Sequence, residues 1–243
     1  LAPAGEHRAL YSRQRDVIYR CSDCGSLYSN PRYTPAELDE LYRREYYSAD
    51  GAPRPAADCQ HEAAGLHRAV LRALARAYPR AVPPGGRVLD FGCGYGYFLA
   101  EAKDRGLDGL GLEFSPVAAG FARRELGLDV RTGGEAALDD VPDHAFNLIN
   151  CSQVIEHLHE PRRTLKSLAT KLAPDGLLML AFPNLRCWRY LIERGEWFNI
   201  QNPTHVTFFS WRGISLVLAE LGLADVCRLV FWGGRPGFGQ AAN

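Results

Sequence analysis

Val88-Leu89-Asp90-Phe91-Gly92-Cys93-Gly94-Tyr95-Gly96 decides how this 243-residue chain is read. An apolar run ends in an acid and glycines follow at alternate positions, so a strand gives way to a sharp turn whose backbone a ligand can approach without meeting Cβ atoms. Leu110-Gly111-Leu112-Glu113-Phe114-Ser115-Pro116 repeats the plan, with Glu113 at the tip of a second strand, where a carboxylate can accept both hydroxyl hydrogens of a ribose. A pyrophosphate-binding loop would carry its third glycine at position 97, where Tyr97 stands, and no Tyr-x-x-x-Lys pair accompanies it. A nicotinamide-dependent oxidoreductase is therefore the weaker reading of the loop.

Working outward, short apolar runs alternate with helical patterns. Strands are predicted at 87–91, 109–113, 129–132, 146–151, 177–182 and 223–231, and helices at 95–105, 116–126, 161–172 and 211–221. Such alternation predicts an α/β fold: a Rossmann-like, doubly wound, mostly parallel sheet that binds ligands beyond the carboxyl ends of its strands. Residues 1–81 read as a small N-terminal helical cap and 82–243 as the sheet domain, with a lid insertion at about 183–205. In the cap, Thr34 and Glu37 hold the positions of a capping box, and a helix over about 61–78 sets Leu66, Ala69, Val70, Ala73 and Leu74 against a solvated stripe of Arg68, Arg72 and Arg76. Gly233–Gly239 reads as loop, which leaves the sheet one strand short. With no initiator Met at Leu1, the natural protein is expected to be longer than 243 residues.

Composition excludes several classes. Hydrophobic residues make up 47% of the chain, ample for a core, and 28 Lys+Arg balance 28 Asp+Glu, so no basic field invites nucleic acid. No apolar run is long enough to cross a bilayer. Seven scattered cysteines do not form a secreted disulfide framework, which points to a reducing cytoplasm. The expected partner is a small-molecule acceptor, with no nucleic acid, no membrane and no oligomeric state implied.

Taken together, Leu89 to Gly96, Glu113, Phe146 to Leu158, Leu172 to Leu180, Pro183-Asn184 and His205 to Ser210 resemble the class I S-adenosylmethionine-dependent methyltransferases, particularly those of ubiquinone and natural-product pathways. The resemblance runs from about 86 to 231. It implies S-adenosyl-L-methionine as cofactor, with its methionine part near Gly92, Gly94 and Tyr95, its ammonium on Asp90, its ribose on Glu113 and its adenine beside Phe114. Gly134 occupies the position where the family presents an acid to adenine, so recognition there falls to backbone or to Glu135. Ser152 and Gln153 would lie beside the sulfonium. Asn147 replaces a common Asp before that strand, a structural change.

The implied reaction is methyl transfer to a small molecule, with O-methylation of a sugar or natural-product scaffold the first expectation and N- or C-methylation the alternative. A base is needed where the nucleophile must lose a proton, and histidine suits that task near neutrality. His205 and His157 are the candidate catalytic residues. The run Gln153-Val154-Ile155-Glu156-His157, with His205 further on, also resembles the metal site of small-RNA ribose methyltransferases. Gln153 replaces its first acid, so at most three ligands remain, a poor set for Mg²⁺, and no metal is expected. Cys21-Ser22-Asp23-Cys24 has zinc-knuckle spacing but supplies only two ligands, with Cys59 and His61 as uncompelled partners; the expectation is a metal-free remnant. The insertion carries Trp188, Tyr190, Trp197 and Phe198, and the lid is expected to turn some of these rings, with Tyr46 and Tyr47 of the cap, toward the acceptor.

Overall fold

A computed structural model of the chain describes residues 7–13, 15–34, 36–37, 40, 57–223, 226–232 and 235–239; at 7, 57–64, 228–232 and 235–239 it describes backbone alone. Tyr46 and Tyr47 lie outside the described residues, as do the side chains of Cys59 and His61. In chain order the elements are strands β1 (His7–Ser12), β2 (Val17–Cys21) and β3 (Leu27–Asn30) and helix α1 (Ala57–Ala77). There follow β4 (Arg87–Phe91), α2 (Tyr97–Lys103), β5 (Asp108–Glu113), α3 (Pro116–Leu126), β6 (Asp129–Thr132), β7 (Phe146–Ser152), α4 (Pro161–Lys171) and β8 (Leu172–Ala181). The last are α5 (Trp188–Glu193), α6 (Phe198–Gln201), β9 (Thr207–Phe208), α7 (Trp211–Glu220), β10 (Arg228–Trp232) and β11 (Arg235–Gly239). No described helix is long and apolar enough to cross a membrane.

The chain divides into two compact units. The larger holds 52–152, 163–180 and 225–243 and is built on a five-stranded sheet of order β6-β5-β4-β7-β8. β4 pairs in parallel with both β5 and β7, and β5 with β6. The chain thus starts in the middle of the sheet and winds outward both ways, the doubly wound topology expected from sequence. Val88, Leu89 and Phe91 are buried, as a parallel strand covered on both faces requires. Ser115 caps α3 by accepting from the Ala118 N–H, Pro116 opens that helix, and Gly127 closes it in the left-handed conformation. Helix α2 starts at Tyr97 rather than Tyr95, because Gly96 before it has φ +85°.

Helix α1, grouped with residues 1–81 on sequence, sends Val70, Leu71 and Leu74 into the core of this larger unit beside Val88, Phe98 and Leu148. Leu66 departs from the expected apolar face and is exposed. Arg72 and Arg76 are exposed as expected, and Arg68 pairs with Glu101 at 2.8 Å. Arg235–Gly239 corrects the loop reading. It is a strand, antiparallel to β10, and its Pro236, Gly237 and Gly239 are poor strand formers that hid it.

The smaller unit holds 1–51, 153–162 and 181–224. Its sheet, β1-β2-β3-β9, has three antiparallel pairings, and the sequence reading assigns none of these strands. Ile18, Leu27, Tyr190, Trp197, Ile200 and Phe208 form its core. The insertion's rings therefore separate: Tyr190 and Trp197 fill this core, while Trp188 and Phe198 are exposed. The capping box closes as predicted, with the Thr34 N–H donating to Glu37 at 2.8 Å and the Glu37 N–H to the Thr34 hydroxyl at 3.3 Å.

Candidate active site

In the larger unit, the carboxyl ends of β4, β5 and β7 bring the predicted cofactor residues together. Gly92, Gly94 and Gly96 take φ of +75°, +55° and +85°, which lets the loop fold back over the strand tips. Glu113 locks this loop: one carboxylate oxygen accepts from the Gly94 N–H at 2.7 Å and the other from the Ser115 N–H at 2.8 Å. Each oxygen keeps a second lone pair, so a ribose diol still finds acceptors there. Burial raises the Glu113 carboxyl, and the backbone donors oppose that shift.

Asp90 is almost fully buried and accepts from the Asn150 amide at 2.7 Å, while the Ser152 hydroxyl donates to the Asn150 carbonyl at 2.6 Å. Burial, with the nearby Glu113 charge, pushes Asp90 up to about 7 despite the Asn150 bond. A buried acid poised in this way gains from a cation beside it, and an ammonium is such a cation. Asn150 is a site residue the sequence reading missed; its polarity in the otherwise apolar run 148–151 was the available signal. Asn147 accepts from the Arg87 N–H at 2.9 Å, the structural part expected of it.

Phe114 is 47% exposed and its ring meets Phe91 edge-on at 5.6 Å. A Cβ on Gly134 would fall 2.0 Å from that ring, so the absent side chain there is required by the aromatic wall. Glu135 takes the Thr164 hydroxyl on its carboxylate. Tyr95 packs edge-on to Phe121 at 5.3 Å. Gly94 has open space where a Cβ would project. An acid for an ammonium, an acid for a diol, a loop with room over its backbone and a flat exposed ring together fit S-adenosyl-L-methionine. Gln153, the tenth predicted residue, follows Ser152 in the chain but belongs to the smaller unit, where it has φ +56° and its N–H donates to Ala181 at 2.7 Å.

The smaller unit brings His157 and His205 together, with ring centroids 4.6 Å apart, and adds Glu156. All three are buried. His157 Nδ1 lies 3.1 Å from the Thr204 carbonyl and His205 Nδ1 3.0 Å from that of Asn199. A carbonyl only accepts, so Nδ1 carries the proton in both rings and Nε2 is the basic nitrogen. Burial pushes His157 down to about 4; burial, with His157 and Arg13 nearby, pushes His205 down to about 3. Both are neutral at pH 7 and weak as free bases. Burial pushes Glu156 up to about 8.

His205 is held from afar. Arg13, paired with the buried Asp16, donates to the carbonyls of Ile200, Asn202 and His205 at 3.1, 2.7 and 3.1 Å. Asn202 in turn accepts from the Thr204 N–H and hydroxyl at 3.0 and 2.7 Å. The sequence reading had no access to Arg13, because its partners lie far along the chain. Cys21 and Cys24 close a tight turn, with the Gly25 N–H donating to the Cys21 carbonyl at 2.9 Å. Neither belongs to a group of three metal-ligating side chains among the described residues.

Sheet order and acid-tipped strands define the class as a Rossmann-like, doubly wound domain whose ligand lies at the strand tips. Residues 61–228 match the family described as methyltransferase domain, most of the chain, and the protein belongs to that family. S-adenosyl-L-methionine is therefore its cofactor, and the nicotinamide alternative falls away. The chain is similar to ubiquinone biosynthesis O-methyltransferase of Xanthomonas campestris pv. campestris (strain B100), at 28% identity over 168 residues, 64% of this chain and 66% of that protein. It is also similar to the mitochondrial ubiquinone biosynthesis O-methyltransferase of Schizosaccharomyces pombe, at 32% over 104 residues, 40% of this chain and 38% of that one. It thus spans less than two thirds of the length of these relatives. A SAM dependent methyltransferase from Archaeoglobus fulgidus shares the fold with a TM-score of 0.53 at 25% identity, covering 67% of this chain and 69% of the other.

Proposed function

We propose that the protein methylates an oxygen of a small-molecule acceptor, on a sugar or natural-product scaffold, with S-adenosyl-L-methionine as donor. When bound, the cofactor supplies an electrophilic methyl group on a sulfonium. Asp90 holds the ammonium, Glu113 and the Gly92–Gly94 backbone hold the ribose and methionine parts, Phe114 and Gly134 make the adenine wall, and Ser152 stands beside the sulfonium.

The observation that carries the oxygen-acceptor reading is the tautomer of the two imidazoles. With Nδ1–H spent on the Asn199 and Thr204 carbonyls, His205 and His157 present Nε2 as the proton-accepting nitrogen, which suits an acceptor hydroxyl that must give up its proton. Two relatives named as O-methyltransferases support the same reading. Insertion 183–205, which supplies the Asn199 carbonyl, is proposed to set acceptor choice. The test is turnover with labelled S-adenosyl-L-methionine against a panel of hydroxylated, amine and carbon-acid acceptors. His205→Ala is expected to lower turnover on a hydroxyl acceptor at least about tenfold and to leave cofactor affinity unchanged. Wild-type turnover in that variant, or methyl transfer to amines or carbon acids alone, contradicts the proposal.

A further inference from the structure

We propose that Glu156 is a third catalytic residue: as a neutral carboxylic acid it donates a hydrogen bond to the acceptor oxygen while His205 takes that oxygen's proton. This rests on the oxygen-methylation reading above. The Glu156 side chain is wholly buried, and among the described residues neither of its oxygens has a hydrogen-bond partner. An ionised carboxylate left in that state would be very costly, because a buried charge needs donors or a counter-charge. Two neighbouring backbone donors are spent elsewhere: the Val206 and Thr207 N–H groups donate at 2.9 and 3.1 Å to the Glu156 main-chain carbonyl. Burial holds the Glu156 carboxyl at about 8, and its own N–H, too poorly aimed for a hydrogen bond, opposes that shift only in part. No charged group among the described residues adds to either side, so Glu156 keeps its proton at pH 7.

A protonated carboxyl has one O–H to give, and buried donors are almost always satisfied. The spacing of the cluster shows what can take it. One Glu156 oxygen and one ring nitrogen from each histidine all lie within 4.8 Å of one another. An oxygen hydrogen-bonded to two groups at about 2.8 Å each, with an angle of about 115° between the bonds, holds those groups about 4.7 Å apart. The cluster therefore has the span of a single hydroxyl oxygen, which accepts from Glu156 and donates to His205. His205 suits the second part, because its Nδ1 proton is committed to the Asn199 carbonyl at 3.0 Å and Nε2 is its accepting nitrogen.

The weakness of the base gives this donor its task. His205, held at about 3 by burial with His157 and Arg13 nearby, is too weak to deprotonate a hydroxyl unaided. A donor aimed at the oxygen where negative charge develops lowers that barrier, and a carboxylic acid serves in this way only while it keeps its own proton. In the step, the acceptor O–H bond breaks and its proton passes to His205 Nε2. The oxygen's electron pair forms the O–C bond to the methyl group as the C–S⁺ bond breaks, leaving a neutral thioether. Glu156 retains its proton throughout, and the His205 imidazolium then returns the acquired proton to water.

The test uses the full chain with S-adenosylhomocysteine, and reads its infrared spectrum and the absorbance of added 4-nitrophenol, a hydroxyl probe whose ionisation is visible. At pH 7 wild type is expected to show a protonated-carboxyl band that Glu156→Gln lacks and that fades as pH rises past about 8. Bound 4-nitrophenol is expected to ionise at least about one pH unit below the free phenol in wild type. Glu156→Gln, whose amide N–H still donates, should keep most of that shift, and Glu156→Leu, which has no donor, should lose it. S-adenosylhomocysteine affinity, whose predicted residues lie almost wholly in the larger unit, reports that each variant is folded, and Glu156→Met takes the place of a Glu156→Leu that does not fold. Equal ionisation of the bound phenol in wild type and Glu156→Leu, a carboxylate band for Glu156 at pH 7, or no binding of 4-nitrophenol to wild type overturns the proposal. A wild type that shows both the carboxyl band and the lowered phenol ionisation, yet methylates only amines or carbon acids, upholds the donor and overturns the oxygen-methylation reading instead.

Discussion

Asp90 and Glu113 in the larger unit and Glu156 in the smaller are all buried carboxylates, but the two units treat them differently. Glu113 has backbone donors on both oxygens and Asp90 has the Asn150 amide, so the strand tips hold their acids without help and await a ligand's own donors. Among the described residues Glu156 has no hydrogen-bond partner on either oxygen, beside two imidazoles whose Nδ1 protons sit on main-chain carbonyls. The first site is preorganised by local backbone; the second is held by main-chain carbonyls of residues 199 and 204. Its geometry depends on remote support, above all the Arg13 guanidinium across the 200–205 carbonyls.

Breaking that support should have the largest effect. Arg13→Ala strands the buried Asp16 and releases three carbonyls, and is expected to cost about 3–5 kcal/mol in chemical denaturation. A loss under about 1 kcal/mol would show that the loop holds His205 without it. On the other side of the comparison, Glu113→Ala removes two charge-assisted bonds, one to Gly94 of the glycine loop and one to Ser115, and the proposed ribose acceptor. Calorimetric affinity for S-adenosylhomocysteine should fall about 100-fold. An unaltered dissociation constant would remove Glu113 from the cofactor site.

Two smaller effects sharpen the picture of the cradle. Asp90 folds with its carboxyl raised from 3.8 to about 7, so the anion that an ammonium needs is scarce below pH 7. Affinity for S-adenosylhomocysteine is expected to be about tenfold weaker at pH 6 than at pH 8, and Asp90→Asn should bind weakly with no such slope. For stability the sign is reversed. A raised carboxyl pKa favours the folded protonated form, so in the absence of ligand this group's contribution is lost as pH rises from about 4 through 7. Gly134→Ala forces the exposed Phe114 ring aside and should weaken cofactor binding a few-fold to about tenfold while leaving stability nearly intact, since that ring is not core. Destabilisation without an affinity change would place Phe114 in the packing rather than in the site.

The same contrast explains what sequence could and could not show. β4, β5, β6, β7 and α3 lie close to where they were read, because buried parallel strands and a Ser-Pro helix start capped by glycine are local signals. The cradle was legible for the same reason: Asp90, Glu113 and the glycines sit at strand ends fixed by those signals. The smaller unit was not. β9 is two residues long and exists only because Tyr28 and Leu27 pair with it from the other end of the chain. Tyr190 and Trp197 read equally well as ligand walls or as core, and only the packing with Ile18 and Phe208 makes them core. His157 and His205 were named from sequence, but their tautomers, set by Thr204 and Asn199, and the orphaned state of Glu156 are consequences of tertiary structure.

The proposed function assigns cofactor binding to Asp90, Glu113 and the glycine loop of the larger unit and acceptor chemistry to His205. Isothermal titration of wild type and His205→Ala with S-adenosylhomocysteine tests it most directly. One site per chain, with affinities equal within about twofold, is the predicted result. No binding to folded wild type would contradict the account.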